Sequence, residues 1–323
     1  MIEELKKIRS EMAPCLPPVW AQSGHLQTIL GHLLPSDRME PIGEKILIPK
    51  EDGPDQIHST YIQGEKPVVV YLFHGLGGSA DAAYMHRTAS IAREQGFHVF
   101  MNNHRGCGEG VGLAIEPYHS GRAEDLSTVI AFGRHKIPHA RHIAIGFSLS
   151  ANALLLLAAR VRAEVLPDAA IAVNAPINLE LSSQKLCEGL SWIYNYRFVM
   201  DLKKYVKLNR KKDYRLIKGV HNLRTMDEVF TAPIGGFESR SHYYATCSAA
   251  QYLGQINIPT VLISAENDPF VKPEDYQRAT LSSQCVLHLE KCGGHMGYIK
   301  KSRRGYERWL DDALKKYLTV MGA

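Results

Sequence analysis

What the sequence lacks narrows it first. No stretch approaches the ~18 consecutive apolar residues of a membrane-spanning helix. The first dozen residues are charged and lack the apolar run of about 7 to 15 that a secretory leader requires. The six cysteines (Cys15, Cys107, Cys187, Cys247, Cys285, Cys292) are scattered, with no Cys-x-x-Cys pair. That excludes the disulfide framework of a small secreted domain and makes reduced thiols in a cytoplasmic protein the expectation. No pair of His, Cys or carboxylate residues has the spacing of a zinc motif, so no metal is expected, nor any other cofactor. Internal repeats are absent, and solenoids fall away with them. The charge is near balance: a net +5, with no basic arm or reading module, argues against nucleic acid as a partner. Nothing in the pattern fixes an oligomeric state.

What is present is a chain of 323 residues, 45% hydrophobic, enough for one large domain with an insertion or for two small ones. Short apolar runs at residues 45–48, 68–73, 97–101, 142–145, 169–173, 260–263 and 285–289, bounded by Gly, Pro or polar residues, read as strands. Helical spacing appears at Met85, Ala89 and Ala92, and at Leu126, Ile130 and Gly133. It appears again at Tyr306, Trp309, Leu310, Ala313, Tyr317 and Val320, which predicts a closing helix over 306–320. The alternation predicts an α/β protein with a mostly parallel central sheet flanked by helices.

From about 178 to 255 the rhythm breaks into helix formers, aromatics and bases. The expected organisation is a core in two parts, 1–177 and 256–323, with a mainly helical cap, 178–255, inserted between them. The cap carries Lys203, Lys204, Lys207, Arg210, Lys211, Lys212, Arg215 and Lys218 against one acid, Asp213. This is a solvated helix face or, with Leu202, Tyr205, Val206 and Leu208 interleaved, a stripe for transient contact with an anionic membrane surface.

The chemistry centres on Gly146-Phe147-Ser148-Leu149-Ser150-Ala151-Asn152, which joins a predicted strand to a strongly helical stretch. A serine placed so, with small residues two positions to either side, has the form of a nucleophile elbow, because strand and helix must approach closely around a strained backbone. Gly146 meets that demand, and Ser150, where glycine is usual, is still small. The plainer alternative is a βα turn with capping serines. Upstream lies His74-Gly75-Leu76-Gly77-Gly78-Ser79, a loop able to offer a main-chain N–H to a developing oxyanion, with Leu76 and Leu149 as the candidate donors. As a phosphate cradle it lacks the Lys-Ser/Thr of a P-loop.

A hydroxyl at neutral pH needs a base held by a carboxylate, here in the order Ser, Asp, His. Asp268 follows the run 260–263, with Glu266 as a rival carboxylate nearer the strand end. His295 follows the last predicted strand in a glycine-flanked turn, a position that sets it apart from the other histidines. Asp125 reads as a helix start. The turn His104-Arg105-Gly106-Cys107-Gly108 is either a pocket floor or a tight turn with a solvated arginine, and Cys292 a packed turn residue or a thiol with a role of its own.

Together these residues resemble the YheT-like branch of the α/β-hydrolases. The matching pieces are Trp20 with Gly24-His25-Leu26-Gln27-Thr28-Ile29-Leu30, the loop from His74 to Ser79, Asn103 with Arg105-Gly106-Cys107-Gly108, and Tyr118-His119-Ser120-Gly121. The elbow with Asn152, Tyr243-Tyr244, and Asp268-Pro269-Phe270 complete the set. Ser150-Ala151, in place of Gly-Gly or Gly-Ala, and Asn267, where aspartate is frequent, depart from the pattern. The resemblance implies the α/β-hydrolase fold and hydrolysis of carboxylic esters with short or medium acyl chains, with lipid esters or acyl transfer in eukaryotic relatives. The expected activity is that of a carboxylesterase or lipase-like serine hydrolase on a small-molecule ester, with Ser148, Asp268 and His295 as catalytic residues. An acyltransferase with the same triad, or a non-catalytic binding protein on the same scaffold, are the alternatives.

Overall fold

The computed structural model describes residues 1–36, 43–50, 53–303 and 305–323. Eight strands form one sheet: β1 (Glu44–Pro49), β2 (Gln56–Ile62), β3 (Val68–Phe73), β4 (His98–Asn102), β5 (Arg141–Phe147), β6 (Ala169–Val173), β7 (Thr260–Ala265) and β8 (Cys285–Glu290). Their order is β1-β2-β4-β3-β5-β6-β7-β8. The strands from β4 to β8 in that order are parallel, while β2 pairs antiparallel with both β1 and β4. The mainly parallel sheet flanked by helices that the sequence predicts is the one observed. Every residue of β3, β6 and β7 is buried, because parallel strands covered on both faces have no wet side. Edge strand β1 alternates buried and exposed positions, leaving one face to solvent.

Helices α1 (Ile2–Glu11), α2 (Gly24–Leu33), α3 (Ala83–Glu94), α4 (Ala123–Lys136) and α5 (Leu149–Ala158) precede β6. The core divides into two layers, with α4 and α5 over one face of the sheet and α1, α3 and the C-terminal helix Trp309–Met321 over the other. All ten residues of α5 are buried, as suits a helix that is apolar all round. Between β6 and β7 the chain forms α6 (Leu179–Leu186), α7 (Trp192–Asn209) and shorter turns to Gln255, with no strand among the described residues. No helix among them is long and apolar enough to cross a membrane.

The chain passes from β3 outward to β4, then returns to the other side of β3 to begin β5, and continues in that direction to β8. Loops leaving the carboxyl ends of β3 and β5 therefore diverge, and the crevice between them is where such a sheet places a site.

Three expectations need correction. Strand β2 was not foreseen, since His58, Ser59 and Thr60 interrupt its apolar pattern. The closing helix begins at Trp309, not at Tyr306, which lies in a hairpin of β9 (Ile299–Ser302) and β10 (Gly305–Arg308) and packs edge-on against Trp20 at 6.1 Å. The proposed lipid stripe fails in three of its four residues: Leu202, Tyr205 and Val206 are buried in the core, and only Leu208 is exposed.

Arg105 is not solvated either. It is buried with Asp55, at 2.6 Å, and Asp125, at 2.6 and 2.7 Å, and also reaches Glu116. Asp125 stands in the first turn of α4, where its negative charge suits the helix dipole. Burial opposes its ionisation, but the hydrogen bonds and charge of Arg105 outweigh that and hold its carboxyl at about 2. Arg105→Met leaves two buried carboxylates with Lys50, 3.3 Å from Asp125, as the remaining cation in contact. Urea unfolding is expected to show a loss of about 3–5 kcal/mol; a loss below about 1 kcal/mol would mean the cluster contributes little.

Candidate active site

Ser148 caps the start of α5 with φ 55° and ψ −117°, a left-handed conformation that a side chain adopts only when the surroundings enforce it. The enforcement is visible on both sides. The Ser148 amide donates to the Val173 carbonyl at 2.8 Å, and a Cβ at position 146 would lie 2.6 Å from the Ser150 carbonyl oxygen and 2.8 Å from the Ala151 nitrogen. Only glycine fits there.

His295 joins the other two members. Its Nε2 lies 2.8 Å from Ser148 Oγ, and its Nδ1 lies 2.8 Å from Asp268 Oδ2. Asp268 is fully buried, and its Oδ1 accepts the amides of Phe270 and Val271 at 3.0 Å each. Those bonds fix the carboxylate plane and hold Oδ2 toward His295 Nδ1. Phe270 packs on the His295 ring at 4.1 Å. The rival Glu266 is exposed, outside this arrangement. Burial, with Glu290 and Glu266 nearby, raises the thiol pKa of Cys292, the opposite of what a thiolate nucleophile needs.

The loop after β3 folds over Ser148: a Cβ on Gly75 would come 3.1 Å from that of Ser148. Its amides are largely engaged, Gly75 with Tyr84 Oη, Gly77 with Tyr118 Oη and Ala80 with Asn103 Oδ1. Among the described residues the amides of Leu76 and Leu149 have no acceptor, as groups kept for an oxyanion should be. The Leu149 amide also sits at the positive end of α5.

Ser150 takes on a task that glycine could not. Its hydroxyl donates to the His74 carbonyl, and His104 Nε2 lies 2.5 Å from the same oxygen of Ser150. The His104 amide donates to His74 Nε2 at 3.1 Å, which leaves His74 Nδ1 to donate to the Gly75 carbonyl. Burial lowers the pKa of both histidines. Ser150 thus fastens the start of α5 to the loop after β3.

Several positioning residues carry no local signal of their role. Asn174, at the end of β6 with φ 47°, donates to Asp268 Oδ2 at 2.8 Å and to the Gly294 carbonyl. Asn267 Oδ1 accepts the amides of Gly293 and Gly294 at 3.0 and 2.9 Å, tying the acid loop to the base loop. Helix α2 clamps both: Thr28 Oγ1 accepts the His295 amide at 2.8 Å, while Gln27 bonds both polar backbone atoms of Ile299. The approach is so close that a Cβ on Gly24 would fall 1.7 Å from the Asn267 carbonyl oxygen. Asn152 bonds Ser120, Cys247 and Ala249, so α5 also holds the loop after β4 and the end of the cap. These contacts give physical content to segments that entered the sequence reading only through the resemblance.

A crevice at the β3–β5 switch point, a strained serine and a buried histidine–carboxylate pair define an α/β-hydrolase. The family described as Serine aminopeptidase, S33 (Hydrolase_4) matches residues 64–296, and this chain belongs to that family of α/β-hydrolases. It is 30% identical to YheT, an inferred esterase of Escherichia coli (strain K12), across 96% of this chain and 94% of that protein. Phospholipase ABHD3 of Homo sapiens is 24% identical, across 94% of this chain and 78% of its own length. Among solved structures, the Pyrococcus furiosus esterase Pf2001 superposes with a TM-score of 0.59 at 16% identity, covering 90% of this chain and 100% of that one; a likeness at this identity is one of fold. The relatives place the chain in the esterase and lipase type of the superfamily, the branch its motifs resemble.

Proposed function

We propose that this chain is a carboxylic-ester hydrolase that acts through an acyl-enzyme on Ser148, with short- to medium-chain or lipid-like esters as substrates. The observation that carries the reading is the single imidazole of His295 set 2.8 Å from both the Ser148 hydroxyl and the Asp268 carboxylate. As Ser148 Oγ attacks the ester carbonyl carbon, its proton passes to His295 Nε2. Asp268 stabilises the imidazolium, and the Leu76 and Leu149 amides receive the oxyanion. Collapse breaks the bond to the alcohol oxygen, which leaves with the proton from His295. Water, deprotonated by His295 in turn, cleaves the acyl-enzyme. A fluorophosphonate probe is expected to label the native protein once, on Ser148, and to leave Ser148→Ala unlabelled. Labelling that persists in that variant would overturn the assignment. Six unpaired thiols support a cytoplasmic residence.

The cap supports a contact with anionic lipid through residues other than those expected. On the outer face of α7, Trp192 (56% exposed), Ile193 (43%), Tyr196 (51%) and Met200 (45%) follow one another. Exposed Lys204 and Lys207 continue the same face toward the helix end. Apolar side chains followed by cations along one face match the boundary between acyl chains and acidic headgroups. Cosedimentation is expected to retain the protein on phosphatidylserine-containing vesicles more than on phosphatidylcholine ones. Trp192→Ser with Met200→Ser is expected to lower partitioning about tenfold or more, given ~1.5–3 kcal/mol per fully buried apolar side chain. Equal retention on both vesicles, or no loss in the variant, would overturn this contact.

A further inference from the structure

Leu76, Leu149, Phe198, Leu202 and Phe270 give the cavity that contains Ser148 an apolar part of its wall, while Ser183, Thr231, Tyr243 and Tyr244 give it a polar part. Two further polar groups in that wall stand out. Asp227 is a buried carboxylate on the cavity surface, and Ser182, on α6, is a buried hydroxyl with no hydrogen-bond partner among the described residues. Neither is a requirement of the hydrolytic chemistry.

The cost of placing Asp227 here is considerable. Its carboxylate accepts from Tyr244 Oη at 2.6 Å and from the Thr231 hydroxyl, but among the described residues no cation pairs with it directly. The nearby guanidinium of Arg224 is spent on Glu180, at 2.7 Å, and that of Arg240 faces Glu228 at 3.5 Å. Burial pushes the carboxyl up to about 6, against the hydrogen bonds of Tyr244 and Thr231. A buried carboxylate with hydroxyl partners but no cation still has lone pairs to offer a donor on a ligand. The backbone makes a deliberate turn to put it there, since Asp227–Thr231 is π-helical, with both end residues lining the cavity. Single π-turns of this kind concentrate at functional sites.

We propose that Asp227 and Ser182 form a polar subsite that binds an uncharged hydroxyl on the part of the ester lodged under the cap. A hydroxyl both donates and accepts, so it can donate to the carboxylate while satisfying the orphaned Ser182 Oγ. An ammonium group is a poorer occupant, because the guanidinium groups of Arg224 and Arg240 lie near Asp227 and those of Arg122 and Arg162 near His119, which also lines the cavity. The substrate class is therefore hydroxylated esters, with the hydroxyl on the acyl chain or on the alcohol. This rests on the hydrolase reading above.

The test compares kcat/KM within matched pairs. One arm sets p-nitrophenyl 3-hydroxybutyrate against p-nitrophenyl butyrate, and the other sets glycerol monobutyrate against ethyl butyrate. The native enzyme is expected to favour the hydroxylated member about tenfold or more in at least one arm, because a site built to bond a hydroxyl leaves polar groups unpaired with the analogue that lacks it. In Ser182→Ala and in Asp227→Asn that ratio is expected to fall several-fold toward one. Ser182→Ala breaks no hydrogen bond in the protein, so it keeps the test open should the aspartate variant fold poorly. Ratios near one in both native arms, ratios unchanged in both variants, or preference for p-nitrophenyl 4-aminobutyrate over its hydroxylated counterpart would each overturn the subsite. Failure to hydrolyse any of the plain esters would instead overturn the hydrolase reading, and the substrate class with it.

Discussion

Ser148→Ala is expected to reduce kcat/KM for p-nitrophenyl butyrate by roughly 10⁵- to 10⁶-fold, the loss seen when a nucleophile that works as part of a unit is removed. The fold should survive. Alanine keeps the Cβ and so inherits the same backbone strain, and the lost hydroxyl has its side-chain partner in His295. Thermal unfolding is expected within a few degrees of the native protein. His295→Ala should cost a similar factor, and the double variant little more than either single one, because base and nucleophile fail together. Losses that multiplied in the double variant would mean that the two residues act independently.

Asp268→Asn is expected to lower kcat by about 10⁴-fold for a different reason. Oδ1 faces two backbone amides, Phe270 and Val271, so the asparagine must keep its oxygen there. Its NH₂ then points at His295 Nδ1 and makes that atom an acceptor, which moves the imidazole proton to Nε2, where it blocks deprotonation of Ser148. The same NH₂ confronts the side-chain amide donor of Asn174. A stability loss of about 1–3 kcal/mol should accompany the kinetic one. Nitrogen-15 spectra of the imidazole would show the tautomer directly, and an unchanged tautomer with full activity would refute the role given to Asp268.

The features legible in the sequence were the ones written over short distances. The period of apolar runs gave the parallel sheet, and the small residues around Ser148 gave the elbow, because both follow from sterics within a few residues. Asp268 and His295 could be chosen because each follows a late strand, and the structure brings both side chains to the serine. What stayed hidden depends on partners remote in sequence. Arg105 looks like a solvated turn residue until Asp55 and Asp125 close on it. Asn174 is one asparagine among others until it meets Asp268. Periodicity also misled: 306, 309, 313 and 317 share a helical spacing, yet residue 306 lies in β10, paired with β9. On α7 the apolar residues among the lysines point inward, Leu208 excepted, and the other exposed ones lie about a turn or more earlier, a distinction that composition does not hold.

The hold of Thr28 on the His295 amide spans 267 positions, and it bears on how the molecule matures. During synthesis the elbow and its supporting loop have left the ribosome while more than a hundred residues remain to be added. Until the last quarter of the polypeptide arrives, the serine has neither base nor carboxylate, and the helix that will grip them waits unoccupied. Loop closure over such a span is slow to nucleate, so Ser148, Asp268 and His295 come together only late in folding.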